Sequence, residues 1–360
     1  MNWEDNVRKV TPYVPGEQPK DADKVIKLNT NEMPYPPSPK VDEALKAFDA
    51  AKLRLYPPAD VAPLRDALAE YYGVAEDEVF VGVGSDDVLA MAFLTFFCSE
   101  KPVLFPDITY SFYDVWCELY RIPYETKPLD AGLHMVKSDY MSGNGGIVIA
   151  NPNAPTGVSE MEDVRFIEDI VSANPGSVVI VDEAYVDFGG VTALPLMKKY
   201  DNVLIVRTFS KSRAFAGMRI GFAIGNRRII KYLNDVKYSV NSYTMNYPAI
   251  ELAMASLSDE DYFRETVAKI IRTRQWTQDE LRSRGFTVTD SKTNFVFASP
   301  GSSEPGESGG ITAQTLFREL RSRGIFVRWW DKPRIRDWLR ISVGTDQQMQ
   351  TLIKAIDDIY

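Results

Sequence analysis

The stretch Arg207-Thr-Phe-Ser-Lys-Ser-Arg-Ala-Phe-Ala-Gly-Met-Arg-Ile-Gly-Phe222 follows directly on the apolar run Asn202-Val-Leu-Ile-Val206. Lys211 therefore stands just past the end of a strand-like segment, with hydroxyls at Thr208 and Ser210 on its near side and Arg219 eight residues further on. A lysine so placed suits an amine that must be held reactive, as a Schiff-base lysine is. The hydroxyls and the arginine are what an adjacent phosphate needs.

The same kind of apolar run recurs at Val79-Phe-Val-Gly-Val83, Pro102-Val-Leu-Phe105, Gly146-Ile-Val-Ile-Ala150 and Ser177-Val-Val-Ile-Val181. Near-continuous Val and Ile, without alternation, is the pattern of strands buried on both faces. Helical stretches such as Ser85 to Phe97 and Glu162 to Ala173 separate several of them, so the spacing predicts an α/β fold with a mostly parallel sheet covered by helices. A different regime begins after about residue 255. A polar-faced helix over Asp261 to Arg284, an alternating strand over Phe286 to Phe297, a helix over Thr312 to Arg323 and a strand over Trp338 to Val343 read as a smaller α+β module. Residues 1–34 read as an extended, proline-rich arm, 35–255 as the large domain and 256–360 as the small one. Ser299-Pro-Gly-Ser-Ser-Glu-Pro-Gly-Glu-Ser-Gly-Gly310 reads as a loop without evident chemistry.

Composition removes several classes. The 360 residues are 45% hydrophobic and 25% charged, ordinary values for a globular chain. A net charge of −9 argues against non-specific nucleic-acid binding. No run approaches the ~18 consecutive apolar residues of a membrane span. The first residues lack the apolar core of a signal peptide, and Cys98 and Cys117 read as buried free thiols, so the expected location is the cytoplasm. The single histidine, His134, has no serine, cysteine or metal-ligand motif around it and reads as a surface residue. Histidine-based triads and His-rich zinc sites are thereby set aside, and no metal is expected.

In open parallel sheets ligands bind beyond the carboxyl ends of the strands, so the polar residues at those ends should converge. They are Gly84-Ser85-Asp86 at a helix N-terminus, the turn Asn151-Pro-Asn-Ala-Pro-Thr-Gly157, Asp182-Glu-Ala-Tyr185, and Thr208, Ser210 and Lys211. Together they describe a pyridoxal-phosphate pocket: a phosphate end, Asp182 on the pyridine nitrogen, Tyr185 on the phenolic oxygen, and Lys211 as the tethering amine.

The segments 151–157, 182–185, Ser210-Lys211 with Arg219, and Leu339-Arg-Ile-Ser-Val-Gly344 resemble the fold-type I pyridoxal-phosphate aminotransferases of classes I and II. Thr11-Pro-Tyr-Val-Pro-Gly16, Leu28-Asn-Thr-Asn-Glu32 and Leu55-Tyr-Pro57 resemble the histidinol-phosphate branch of that family. The resemblance spans essentially the whole chain. It implies Tyr110 stacked on the cofactor ring, and Arg219, Ser210, Thr208, Ser85 and Asp86 at its phosphate. It further implies a homodimer with active sites at the subunit interface, Tyr56 reaching the partner's cofactor phosphate. Arg340 is implied as the grip on the substrate anion, with Tyr13, Asn31 and Arg328 around it. One position departs from the pattern: Ala154 stands where the family usually has an asparagine bonded to the phenolic oxygen, so either Asn153 shifts into that role or Tyr185 holds the oxygen alone with a water.

The implied reaction is ping-pong transamination, with L-histidinol phosphate as donor, 2-oxoglutarate as acceptor, and the freed Lys211 amine as the proton carrier. An aromatic amino acid aminotransferase shares every cofactor residue, and Trp329 and Trp330 keep that reading open. A threonine-phosphate decarboxylase looks similar along the chain. A cofactor-sensing regulator ranks last, because no DNA-binding segment precedes the arm in this sequence.

Overall fold

Polar strand ends converge only if the strands are parallel and adjacent, and three of them are. A computed structural model describes residues 2–20, 24–141, 143–301 and 311–360. The first strand, β1 (Ile26–Lys27), belongs to the N-terminal arm. The next seven are β2 (Val79–Gly82), β3 (Val103–Pro106), β4 (Tyr124–Lys127), β5 (Gly146–Ala150), β6 (Val179–Asp182), β7 (Val203–Thr208) and β8 (Gly221–Gly225). They form one sheet of order β2-β8-β7-β6-β5-β3-β4. The pairs from β7 through β4 are parallel, whereas β8 runs antiparallel to both β7 and β2.

The absence of alternation in these strands has a direct cause. Every residue of β5, β6 and β7 is buried. Val148, Ile180, Leu204 and Val206 enter the hydrophobic cluster on one face of the sheet, where Val88, Leu89 and Phe93 of the helix Ser85–Phe96 also lie. Their sequence neighbours Ile147, Ile149, Val179, Val181, Val203 and Ile205 enter a different cluster, with Ile167 and Ile170 of the helix Arg165–Ala173. Side chains in a strand point alternately to opposite faces, so a sheet with helices on both faces selects apolar residues at every position. Each such side chain contributes roughly 1.5–3 kcal/mol of burial.

The C-terminal part has its own sheet, of order β12-β13-β10-β9, from β9 (Thr287–Val288), β10 (Phe295–Ser299), β12 (Arg328–Trp329) and β13 (Leu339–Ser342). Between them in sequence, β11 (Ile325–Phe326) pairs in parallel with β1, so the arm is stitched to this part of the chain. The helices Glu260–Ser283, Ala313–Ser322 and Asp346–Asp357 bury Ile270, Leu281, Leu316, Leu320, Met349 and Leu352 in one cluster with β10 and β13.

Some sequence expectations need correction. The alternating stretch 286–297 is not one strand but a hairpin, β9 pairing antiparallel with β10. Its turn is held by short polar side chains: Ser291 Oγ donates to the Phe295 carbonyl at 2.6 Å and Gln278 Nε2 to the Thr289 carbonyl at 2.8 Å. Such side-chain bonds to backbone compete with strand pairing. The helix expected from Glu162 begins at Arg165. Cys117 is buried but Cys98 is exposed, lying just past the helix end at Phe96. His134 is an exposed residue whose Nδ1 lies 3.1 Å from Glu160 Oε2. Residues 302–310 of the glycine-rich stretch lie outside the described residues. Among the described residues, no helix is long and apolar enough to cross a membrane.

Candidate active site

The carboxyl ends of β5, β6 and β7 and the N-terminus of the helix Ser85–Phe96 face one open-mouthed cleft of about 530 Å³. Lys211, Asp182, Tyr185, Tyr110, Ser85, Asp86, Ser210 and Arg219 all line it, so the structure brings together eight of the residues singled out from sequence.

Asp182 ends β6 with its carboxylate buried. Tyr113 Oη donates to Oδ2 at 2.8 Å, and the Ala184 N–H donates to Oδ1 at 3.1 Å. Burial pushes its pKa up to about 6, against the pull of those two hydrogen bonds. A carboxylate in this state seeks a cation. The adjacent Glu183 points to the other side of the strand, as the pleat requires. There it accepts from Arg207 Nε at 2.9 Å and from the Ala193 N–H at 2.6 Å, which ties β6 to β7 behind the cleft.

The Lys211 ammonium lies 5.6 Å from the centroid of the Tyr185 ring. No carboxylate forms an ion pair with Lys211 among the described residues. At the other end of the cleft Arg219 Nη1 donates to Ser210 Oγ at 3.3 Å, and Nη2 donates to Asp86 Oδ2 at 3.2 Å. Tyr110 Oη donates to Asp86 Oδ1 at 2.7 Å. Each oxygen of the Asp86 carboxylate thus holds one partner, Arg219 or Tyr110, and what the residue offers an anion is its backbone N–H at the helix N-terminus.

Close backbone approach makes that end possible. Gly84 has φ +86°, and a Cβ there would meet Arg219 Nη2 at 2.5 Å. A Cβ on Gly221 of β8 would lie 2.2 Å from the Gly84 carbonyl carbon and 2.3 Å from the Ser85 nitrogen. Both contacts are backbone, so no side chain can swing aside. Gly221→Ala is expected to destabilise the protein by about 3 kcal/mol, the upper end for overpacking, and to weaken anion binding at Ser85. Denaturant melts together with phosphate titration check both.

Several residues read from sequence lie elsewhere. Asn153 does not line the cleft. Its Oδ1 accepts from Thr109 Oγ1 at 2.8 Å and its Nδ2 donates to the Ile108 carbonyl at 2.9 Å, so the carboxamide clamps the 108–109 loop and is not free to replace the asparagine missing at Ala154. Ala154 itself faces the cleft. Thr208 is one step removed: its Oγ1 donates to Ser210 Oγ at 3.0 Å and positions that hydroxyl. Tyr56 is 78% exposed and its ring lies tilted against Tyr243 at 4.6 Å, and it does not line the cleft of its own chain.

None of the four residues implied for the substrate lines the cleft itself; each reaches its wall through a contact or a neighbour. Tyr13 stacks on Phe112 at 4.3 Å, and Phe112 leans on Tyr110 at 5.5 Å. Arg340 lies 5.4 Å from the Phe295 ring and 5.2 Å from the Trp330 ring. Phe295 in turn meets Tyr185 edge-on at 5.2 Å. Arg340 Nη2 donates to the Asn29 carbonyl at 2.9 Å, while Nε is buried without a partner. Burial lowers the Arg340 pKa from its ordinary value, opposed by Tyr185 and Tyr13 nearby. Arg328 also lies 5.3 Å from the Trp330 ring, and it donates to the Val14 and Pro15 carbonyls of the arm at 3.2 and 3.4 Å. Asn31 turns to Tyr185, its Nδ2 donating to Tyr185 Oη at 2.9 Å. Sequence reasoning missed this contact, and it missed Tyr113 as the partner of Asp182. The one signal for Tyr113 was its place a helical turn after Tyr110.

Comparison with known proteins fixes the class. Residues 23–356 match the family described as aminotransferase class I and II. The chain belongs to the class I and II aminotransferases. It is 49% identical over 358 residues to the histidinol-phosphate aminotransferase of Lactococcus lactis subsp. cremoris (strain SK11), covering 99% of this chain and 98% of that one. Among solved structures it resembles the histidinol-phosphate aminotransferase of Sinorhizobium meliloti in complex with pyridoxal-5'-phosphate, with TM-score 0.81, 23% identity and coverage of 93% and 92% of the two chains. It also resembles the L-threonine-O-3-phosphate decarboxylase of Porphyromonas gingivalis, with TM-score 0.78, 21% identity and coverage of 93% and 99%. These two likenesses establish the fold.

The donor set fits the family's cofactor. Pyridoxal phosphate needs an amine for its aldehyde, an anion for its pyridinium, a donor for its phenolic oxygen and cations with N–H groups for its phosphate. Lys211, Asp182, Tyr185, and Arg219 with Ser210 and the 85–86 backbone match those needs in one cleft.

Proposed function

We propose that this chain is the pyridoxal-phosphate-dependent aminotransferase that exchanges an amino group between L-histidinol phosphate and 2-oxoglutarate, a step of histidine biosynthesis. Bound pyridoxal phosphate supplies an electrophilic aldehyde and a ring that takes up electron density. The protein supplies everything else. Arg219, Ser210 and the helix N-terminus at Ser85 and Asp86 anchor the phosphate, and Asp182 holds the pyridine nitrogen protonated. Tyr185 donates to the phenolic oxygen, and Tyr110 closes the ring face. Lys211 would tether the cofactor through its amine and, when that amine is free, would be the base that moves a proton at the substrate α-carbon. No histidine is required.

The observation that carries the choice of substrate is the pair Arg340 and Arg328. Both guanidiniums lie against Trp330 at 5.2 and 5.3 Å, and neither forms an ion pair among the described residues. Two uncompensated cations near the cleft suit a dianionic phosphate, and one of them suffices for the carboxylate of the second substrate in the same fork geometry. The tryptophans do not support the aromatic reading. Trp330 is taken up by the arginines, and Trp329 donates through Nε1 to the Arg336 carbonyl at 2.7 Å and leans on Phe317.

The active unit is a homodimer in this reading, supported by Tyr56, Leu53 and Leu55, large apolar residues exposed together on one segment. Tyr56 then reaches the neighbouring subunit's cofactor phosphate. Its place is the cytoplasm, in keeping with two free cysteines.

Adding amino donors singly to the loaded protein tests the assignment, because conversion of bound aldehyde to amine changes the visible spectrum. Histidinol phosphate should convert the cofactor at concentrations at least ~100-fold below those of phenylalanine, the worth of one desolvated charged contact or two. Equal responses would favour the aromatic reading, and carbon dioxide release without a keto acid would identify a decarboxylase.

A further inference from the structure

The hydroxyl of Tyr185 is held from outside the cleft by the N-terminal arm. Asn31 Nδ2 donates to Tyr185 Oη at 2.9 Å, across 154 positions of sequence. The rest of Asn31 is pinned. Its backbone N–H donates to Ser342 Oγ at 2.8 Å, Ser342 Oγ donates to Asn31 Oδ1 at 3.0 Å, and Asn294 Nδ2 donates to the Asn31 carbonyl at 3.0 Å. A serine hydroxyl has one proton. Asn31 Oδ1 is the one acceptor that the Ser342 hydroxyl meets among the described residues, so turning the amide oxygen to Ser342 and the NH₂ to Tyr185 is the orientation that satisfies that buried proton. The Tyr185 oxygen is therefore an acceptor on its arm side. Its own proton is left for the cleft, which Tyr185 lines and where the neighbouring Ala154 carries no polar group.

We propose that Asn31 is a positioning residue that fixes the direction of the Tyr185 proton, so that Tyr185 donates into the cleft to the phenolic oxygen of the cofactor. This inference rests on the pyridoxal-phosphate reading of the cleft. Asn31 thereby couples the arm that borders the substrate approach to the electronics of the cofactor, and it does so in a chain whose residue 154 cannot bond that oxygen. A donor to the anionic oxygen stabilises the unprotonated form of the bound cofactor. Without it, the proton is held more tightly.

The test is the pH midpoint of the visible absorbance of the loaded protein, with cofactor affinity of the apoprotein as a second readout. Asn31 has φ +55°, so Asn31→Gly removes the side chain without the backbone strain that alanine would add. Its midpoint should rise by about half to one pH unit, the equivalent of one ordinary hydrogen bond, with severalfold weaker cofactor binding. Asn31→Asp keeps an oxygen for Ser342 but turns an acceptor toward Tyr185, drawing the phenol proton away from the cleft. It should shift the midpoint at least as far. Because the new carboxylate's charge would by itself raise the midpoint, the neutral Asn31→Gly carries the decision: a residue that merely anchors the arm would leave Asn31→Gly at the wild-type midpoint. Adding Ala154→Asn to Asn31→Gly should bring the midpoint back, because an amide there can donate to the same oxygen. A midpoint within ~0.2 unit of wild type in Asn31→Gly would overturn the assignment of Asn31 alone. Failure of the wild-type protein to develop any visible absorbance with pyridoxal phosphate would overturn the cleft reading, and this inference with it.

Discussion

Lys211→Ala should abolish turnover and the visible absorbance of the bound cofactor together. In the proposed reading two functions end in one nitrogen: past the end of β7 it would tether the cofactor, and it would be the base that moves the proton at the substrate α-carbon. Loss of a positioned general base costs on the order of 10²–10⁴ in rate, and loss of the tether adds to it. No neighbour can substitute. Tyr185 is engaged with Asn31, Tyr110 donates to Asp86, and Asp182 is tied to Tyr113 and the Ala184 N–H. Single-turnover measurements with the donor and a spectrum of the reconstituted protein check the two losses separately. Lys211→Arg is the sharper comparison. A guanidinium keeps the positive charge but is not deprotonated in proteins, so it should bind the cofactor's phosphate end normally while remaining as inactive as alanine. Wild-type turnover in either variant would refute the role of this lysine.

How much of this was legible in the sequence depends on whether a residue's partner is fixed by strand geometry or by long-range packing. Asp182, Tyr185, Ser210 and Lys211 could be grouped because parallel neighbouring strands bring their carboxyl ends together whatever the loops do. The buried runs at 147–150, 179–181 and 203–206 were readable for the same reason: a sheet covered on both faces has no polar register. The pairing of Asn31 with Tyr185 left no such trace, since it depends on β1 joining β11 and on Ser342 at the end of β13. Tyr113 was hidden among the aromatics around it, because an i,i+3 spacing is as natural for core packing as for a carboxylate partner. Asn153 shows the opposite error. Its residue type suited the phenolic oxygen, but both of its amide protons go to the Ile108 carbonyl and Thr156 Oγ1 and its oxygen accepts from Thr109, so it has no donor left for the cleft. Tyr56 is exposed within one chain, and the role proposed for it in a second subunit's site came from the resemblance alone, since nothing in the spacing of one chain encodes a contact to another. The hairpin at 287–299 reads as one strand in the sequence because alternation continues through Thr289 and Ser291, although the Ser291 hydroxyl serves the turn and the Thr289 hydroxyl donates to the Thr156 carbonyl.

Asp182→Asn separates function from stability most plainly. In the apoprotein the buried carboxylate titrates at about 6 rather than near 3.8. Between those values the folded chain binds a proton that the unfolded chain has released, so the slope of unfolding free energy with pH is negative. The sign is opposite to that of an ion-paired aspartate: stability is greatest below the unfolded pKa and declines as pH rises through about 6. The full cost above that pH is on the order of 3 kcal/mol, at ~1.4 kcal/mol per unit. Asparagine carries no charge and escapes that cost. Its NH₂ group, however, would meet the Ala184 N–H if its oxygen keeps the bond from Tyr113, and that forfeits roughly 1 kcal/mol. The apoprotein of Asp182→Asn should therefore be more stable than wild type by about 1–2 kcal/mol at pH 7.5, and the advantage should vanish near pH 4. Urea melts of the two apoproteins at both pH values measure this. Activity should move the other way, falling by on the order of 10²–10³, because a neutral amide cannot hold the pyridine nitrogen protonated. In the loaded wild-type protein the pyridinium repays the buried charge, so cofactor should stabilise wild type far more than the variant. A carboxylate that weakens the empty fold and becomes favourable only against a cation is what a site built for pyridinium requires. A variant apoprotein no more stable than wild type at pH 7.5, with full activity, would show that Asp182 serves packing alone.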